Sequence, residues 1–80
     1  MGIKDATVER FRNICKERNM TYNELANRSG VTPSTVYSML DERRQDISLV
    51  TVKKLVDGLD MRLGEFFSSA EFETLEQELY

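Results

Sequence analysis

TYNELANRSGVTPSTVYSML, residues 21–40, decides the fold. It reads as two short helices joined by a turn that contains glycine, the layout of a helix-turn-helix. Thr21 and Glu24 stand three positions apart, the spacing of a capping box in which each side chain satisfies the other's free backbone N–H. Leu25 and Ala26 supply an inward face, and Ala26 is small where two helices must cross closely. Gly30 follows where a left-handed residue is easiest to accommodate. Thr32 then reads as an N-cap with Pro33 at the first helical position, where its missing N–H costs nothing. Val36, Met39 and Leu40 form the inner face of this helix, with Val31 plugging the turn from beneath.

Ser34, Thr35, Tyr37 and Ser38 are left to face outward, and no acidic residue lies between Ser29 and Leu40. A surface helix is ordinarily better served by Glu and Lys. A face of small hydroxyl residues makes sense if it enters the DNA major groove without repelling phosphates. The alternative is an ordinary helical corner that binds nothing.

Outward from this stretch the pattern stays helical. Val8, Phe11, Ile14 and Cys15 recur three and four apart, one stripe of a first helix over about residues 7–18. A polar segment, residues 41–46, leads to a fourth helix capped by Ser48, where Leu49, Val52, Leu55, Val56 and Leu59 recur. Leu63, Phe66 and Phe67 suit a short fifth helix. Ser68 and Glu71 suit the start of a last one, whose Phe72, Leu75 and Leu79 form a narrow apolar stripe. That stripe either folds back on its own core or packs across a two-fold axis. No run alternates with period two, and one proline and four glycines leave few breakers. The expected class is all-α: five helices over residues 1–67, then an acidic amphipathic C-terminal helix or tail over residues 68–80.

Composition narrows the function. A chain of 80 residues makes one domain and buries only about 60% of its unfolded surface, which leaves no room for a deep substrate cavity. No apolar run approaches the roughly 18 residues of a membrane span, and no signal-peptide core is visible, so the cytoplasm is the expected compartment. Cys15 is the single cysteine and there is no histidine, which excludes an internal disulfide, the usual zinc sites and His-based acid–base chemistry. Asp57 with Asp60, and Glu71, Glu73, Glu76 and Glu78, lack companion ligands and a pocket. An enzyme, a cofactor and a bound metal are not expected.

The net charge of −3 hides an asymmetry. Residues 1–54 hold ten Lys/Arg against seven Asp/Glu, whereas residues 55–80 hold Arg62 against seven acids. A basic nucleic-acid face with an acidic partner face is one reading, and a solvated acidic chain end is the other. The negative total argues against binding driven by phosphate charge alone.

The segment NELANRSGVTPSTVYSML, followed by SLVTVKKLVDGLDMRLGEFF, resembles the phage-repressor helix-turn-helix domains (lambda repressor/Cro-like, or Xre). The resemblance covers roughly residues 7–67, with the Leu-Ala, Gly-Val and Phe-Phe elements in register. It implies a five-helix DNA-binding domain, usually dimeric, that lays its third helix in the major groove of double-stranded DNA. Carried over by position, the base-reading residues are Pro33, Ser34, Tyr37 and Ser38. Phosphate contacts fall to Thr21, Tyr22 and Asn23 at the start of the second helix, Thr32 and Thr35 at the start of the third, and Arg43, Arg44 and Gln45 after it. Lys53 and Lys54 either extend that contact or are solvated.

Many relatives carry Gln at the places of Tyr22 and Pro33, where it bonds adenine bidentately; Pro33 has no such capacity. Glu42 stands where relatives often have glycine. Cys15 and Leu40 replace a buried Arg–Glu pair, so an apolar contact between the first and third helices is expected. The resulting expectation is a sequence-specific transcriptional regulator that binds a palindromic operator as a homodimer. The alternative is an antitoxin-like interaction module whose C-terminal segment holds a protein partner. The acidic polar face speaks against an anionic membrane surface.

Overall fold

The computed structural model describes residues 2–44 and 46–79. Five α-helices follow in order, α1 (Ile3–Glu17), α2 (Tyr22–Ser29), α3 (Pro33–Leu40), α4 (Leu49–Gly58) and α5 (Leu63–Phe67), and then a 3-10 turn at Ala70–Phe72. No strand occurs among the described residues, and no described helix is long and apolar enough to cross a membrane.

The caps read from the sequence are in place. Thr21 Oγ1 accepts from the Glu24 N–H at 3.1 Å, and Glu24 Oε1 accepts from the Thr21 N–H at 3.2 Å. Gly30 adopts φ +70°, and the Val31 N–H closes the turn onto the Ala26 carbonyl at 3.1 Å. Thr32 and Ser48 cap α3 and α4 through their hydroxyls. One apolar cluster results, with Phe11, Leu25, Val36, Leu55, Leu59 and Phe66 fully buried at its centre. Cys15 lies inside it, and Leu40 packs on it half-buried. Burial pushes the Cys15 thiol up, the behaviour of a small core hydrophobe.

Three expectations are corrected. First, α1 begins four residues early. Ala6 and Thr7 are buried, and Lys4 is only 8% exposed because its Nζ donates to the Asp41 carbonyl at 2.8 Å, just past the end of α3. Second, Leu49 is not a core residue: it is 72% exposed, beside Val50 at 65%. It sits in the first turn of α4, one turn beyond Val52, where the core has already ended.

Third, of the helix or tail expected after residue 67, residues 68–79 form a tail and do not continue as an amphipathic helix. Only Ala70–Phe72 forms a single 3-10 turn, and residues 75–79 have no regular structure. A short isolated helix is marginal in water, and Glu76 and Glu78 near its C-terminus would oppose the helix dipole. Packing of the turn is stronger. Phe72 meets Phe67 at 4.9 Å and Phe66 at 6.0 Å between ring centroids, and Asn13 Nδ2 donates to Glu71 Oε2 at 2.8 Å. The segment therefore folds back on its own core, and Leu79 remains exposed.

α1 also clamps the other helix ends. Arg10 Nε donates to the Phe66 carbonyl at 2.9 Å in α5, with its guanidinium 5.6 Å from the Phe66 ring centre. Arg18 Nη1 donates to the Leu59 carbonyl at 2.6 Å at the end of α4. With Lys4 at α3, three cations of α1 and its C-cap satisfy carbonyls at three helix C-termini, where the dipole favours positive charge. The α2–α4 crossing is close: a Cβ on Gly58 would collide with Ser29 Oγ and fall 2.9 Å from Ser29 Cβ.

Candidate nucleic-acid interface

The first turn of α3 begins at Pro33 because Thr32 supplies the cap and proline supplies the preset φ. At about 100° per residue, Pro33, Tyr37, Ser34 and Ser38 occupy an arc of about 140°, while Val36 and Met39 point into the core. Pro33, Ser34 and Tyr37 are exposed and Ser38 is half-buried. The four sequence-derived base-reading residues thus form one outward ridge.

The hydroxyls at the head of this ridge hold one another. Thr32 Oγ1 lies 3.0 Å from both Ser34 Oγ and Thr35 Oγ1, and it accepts the Thr35 N–H at 3.4 Å. The Thr35 N–H also bonds the Thr32 carbonyl at 3.0 Å. Because Pro33 has no N–H, the start of α3 offers a surface of hydroxyl groups rather than a row of backbone donors. α2 differs. Its cap occupies the N–H groups of Thr21 and Glu24, and helix geometry leaves those of Tyr22 and Asn23 without an intrahelical acceptor.

Two grooves flank the ridge. On one side Thr35, Ser38 and Arg44 share a groove with Ser48 and Thr51 at the start of α4. On the other, Tyr37 shares a groove with Thr21 and Tyr22, and Arg12 and Lys16 of α1 line the same groove. The Tyr22 and Tyr37 rings meet edge-on, 5.9 Å between centroids at 89°. Such a contact fixes the ridge against α2 through aromatic packing. Tyr22 thus braces the ridge with its ring.

The loop after α3 is less basic in effect than its sequence suggests. Arg43 grips Asp41 with Nε on Oδ1 at 3.1 Å and Nη2 on Oδ2 at 2.9 Å, and its own N–H donates to Oδ1 at 3.0 Å. These bonds from the Arg43 side chain and backbone hold the Asp41 carboxyl down at about 2. A phosphate must therefore compete with Asp41 for Arg43. Arg44 is exposed, and it shares a cleft with Glu42, Glu76 and Glu78. Gln45 lies outside the described residues. Lys53 pairs with Asp57 along α4, whereas Lys54 has no ion pair or side-chain hydrogen bond among the described residues.

Sequence reasoning did not single out Arg12 and Lys16 as site residues. The available signal was their spacing of four, which puts both on one face of α1. Which element faces them is a tertiary fact.

A family model described as Cro/C1-type HTH DNA-binding domain matches residues 10–69. No curated protein and no solved structure matches the chain.

Proposed function

Because the chain belongs to the Cro/C1-type HTH DNA-binding domain family, we propose that it is a sequence-specific transcriptional regulator. In this reading it acts as a homodimer on a palindromic operator. The carrying observation is the outward arc of Pro33, Ser34, Tyr37 and Ser38, free of acidic residues and fixed by Tyr22. The arc enters the major groove, and Ser hydroxyls with the faces of Pro33 and Tyr37 read base edges and thymine methyl groups. Phosphate contacts from Thr21, Tyr22, Asn23, Thr32, Thr35, Arg43, Arg44 and Gln45 set the register. Two copies with recognition helices about 34 Å apart read successive half-sites. Regulation follows from occupancy of the site.

Against a protein-interaction module stands the use of Phe72 inside the chain's own aromatic cluster, which leaves Leu75 and Leu79 as the tail's apolar surface.

Selection from random duplex DNA, followed by affinity on the selected and a scrambled duplex, tests the reading. An enriched palindrome preferred by at least about a thousandfold is expected. Ser34→Ala and Ser38→Ala then alter preference at single bases, whereas Arg44→Ala weakens every duplex alike. Weak binding without enrichment overturns the reading.

A further inference from the structure

α1 and its C-cap Arg18 carry five cations with two different fates. Lys4, Arg10 and Arg18 donate to backbone carbonyls at the C-terminal ends of α3, α5 and α4. Arg12 and Lys16 are exposed, and neither has an ion pair or side-chain hydrogen bond among the described residues. They stand four apart on one helix face, and both line the groove that holds Thr21, Tyr22 and Tyr37. Glu9 is the acidic residue of that groove, so its lining charge is positive.

We propose that Arg12 and Lys16 form a second phosphate-binding strip, which takes the duplex backbone bordering the major groove on the α2 side of the ridge. The inference rests on the DNA-binding reading above and adds an element, α1, that this reading does not use. The strip continues the start of α2, whose Tyr22 and Asn23 N–H groups have no intrahelical acceptor, so backbone donors and long cationic side chains face one track. It lies across the ridge from Arg44. Backbone on both sides of the groove is thereby held, which a ridge of weakly discriminating hydroxyls needs to keep its register. Among the described residues these two exposed cations close no internal bond, which leaves both available to an anion in this groove.

The test is the salt dependence of affinity for the selected duplex and for its scramble. Each lost phosphate contact reduces the log–log slope by about one. Arg12→Ala with Lys16→Ala is expected to reduce the slope by about two on both duplexes and to leave base preference intact. The swapped pair Arg12→Lys with Lys16→Arg restores it. Unchanged slope in the alanine pair overturns the proposal. So does a slope loss of about one in Arg62→Ala, a change of one charge outside both grooves, because the effect is then one of total charge. Slope lost in Arg44→Ala but kept in the α1 pair overturns the α1 strip alone. Absence of duplex binding by the unaltered chain overturns the DNA-binding reading along with it.

Discussion

At the scale of single residues, cations here are decided by their partners rather than by their number. Arg43 matches a phosphate-contact position, yet Asp41 holds its guanidinium at two points. The Asp41 carboxyl is depressed, so the pairing is intact above the ordinary aspartate range and is lost as pH falls through about 2. NMR titration is expected to place Asp41 at about 2, and Arg43→Ala to return it towards the ordinary value of about 3.9. Asp41 titrating normally in the unaltered chain would show that the pair does not form in solution. Tyr22 permits a second check. Tyr22→Phe keeps the ring contact with Tyr37, whereas Tyr22→Ala removes a contact worth about 0.5–1.5 kcal/mol beyond its buried area. Thermal unfolding should separate the two, with only the alanine variant melting earlier.

Among the helices, the α2–α4 crossing is the tightest constraint. Gly58 faces Ser29 so closely that an added methyl must displace Ser29 Cβ, 2.9 Å away, or the backbone behind it at 3.1 Å. Gly58→Ala is expected to destabilise the domain by about 1–3 kcal/mol through overpacking, despite alanine's better helix propensity. Ser29 Oγ is buried without a protein hydrogen-bond partner among the described residues, so Ser29→Gly combined with Gly58→Ala should recover part of the loss. Urea unfolding of the single and double variants measures the coupling. Additive losses would mean that the helices do not meet at this pair. The caps of α2 and α3 are simpler cases: Thr21→Ala and Thr32→Ala should each cost about 1 kcal/mol in the same assay.

Over the whole molecule, charge is folded back on itself. Part of the acidic C-terminal third lies against the domain: Glu76 and Glu78 share a cleft with Arg44, Glu42 and Gly2. Removing residues 73–80, while keeping Phe72 in its cluster, takes away three glutamates, two of them, Glu76 and Glu78, beside a proposed phosphate contact. Duplex affinity is then expected to rise at low salt. The gain should shrink towards 0.15 M and beyond, where the Debye length falls below about 8 Å. Equal affinity of full-length and shortened chains at every salt concentration would show that the tail's field does not reach the DNA track.

Local rules decided what was legible in advance. The capping box at Thr21 and Glu24, the left-handed Gly30 and the Thr32–Pro33 start of α3 depend on neighbours within a few residues, so spacing alone located them. Helical periodicity turned Ser34, Tyr37 and Ser38 outward in the same way, and the family resemblance added Pro33. Long-range choices did not. The apolar stripe of Phe72, Leu75 and Leu79 suited a helix, but Phe72 gains more by joining Phe66 and Phe67, and the chain beyond it has too little helix preference to continue. In the sequence Lys4 and Arg10 are only two of the ten cations of residues 1–54, and it is the ends of α3 and α5, brought beside α1, that offer them carbonyls. The sequence by itself determined α2, α3 and α4, their caps and the face α3 presents. The tertiary structure alone decided which cations those helix ends consume and which, Arg12 and Lys16, remain beside the ridge, because a charge's role depends on what lies within a few ångströms of it.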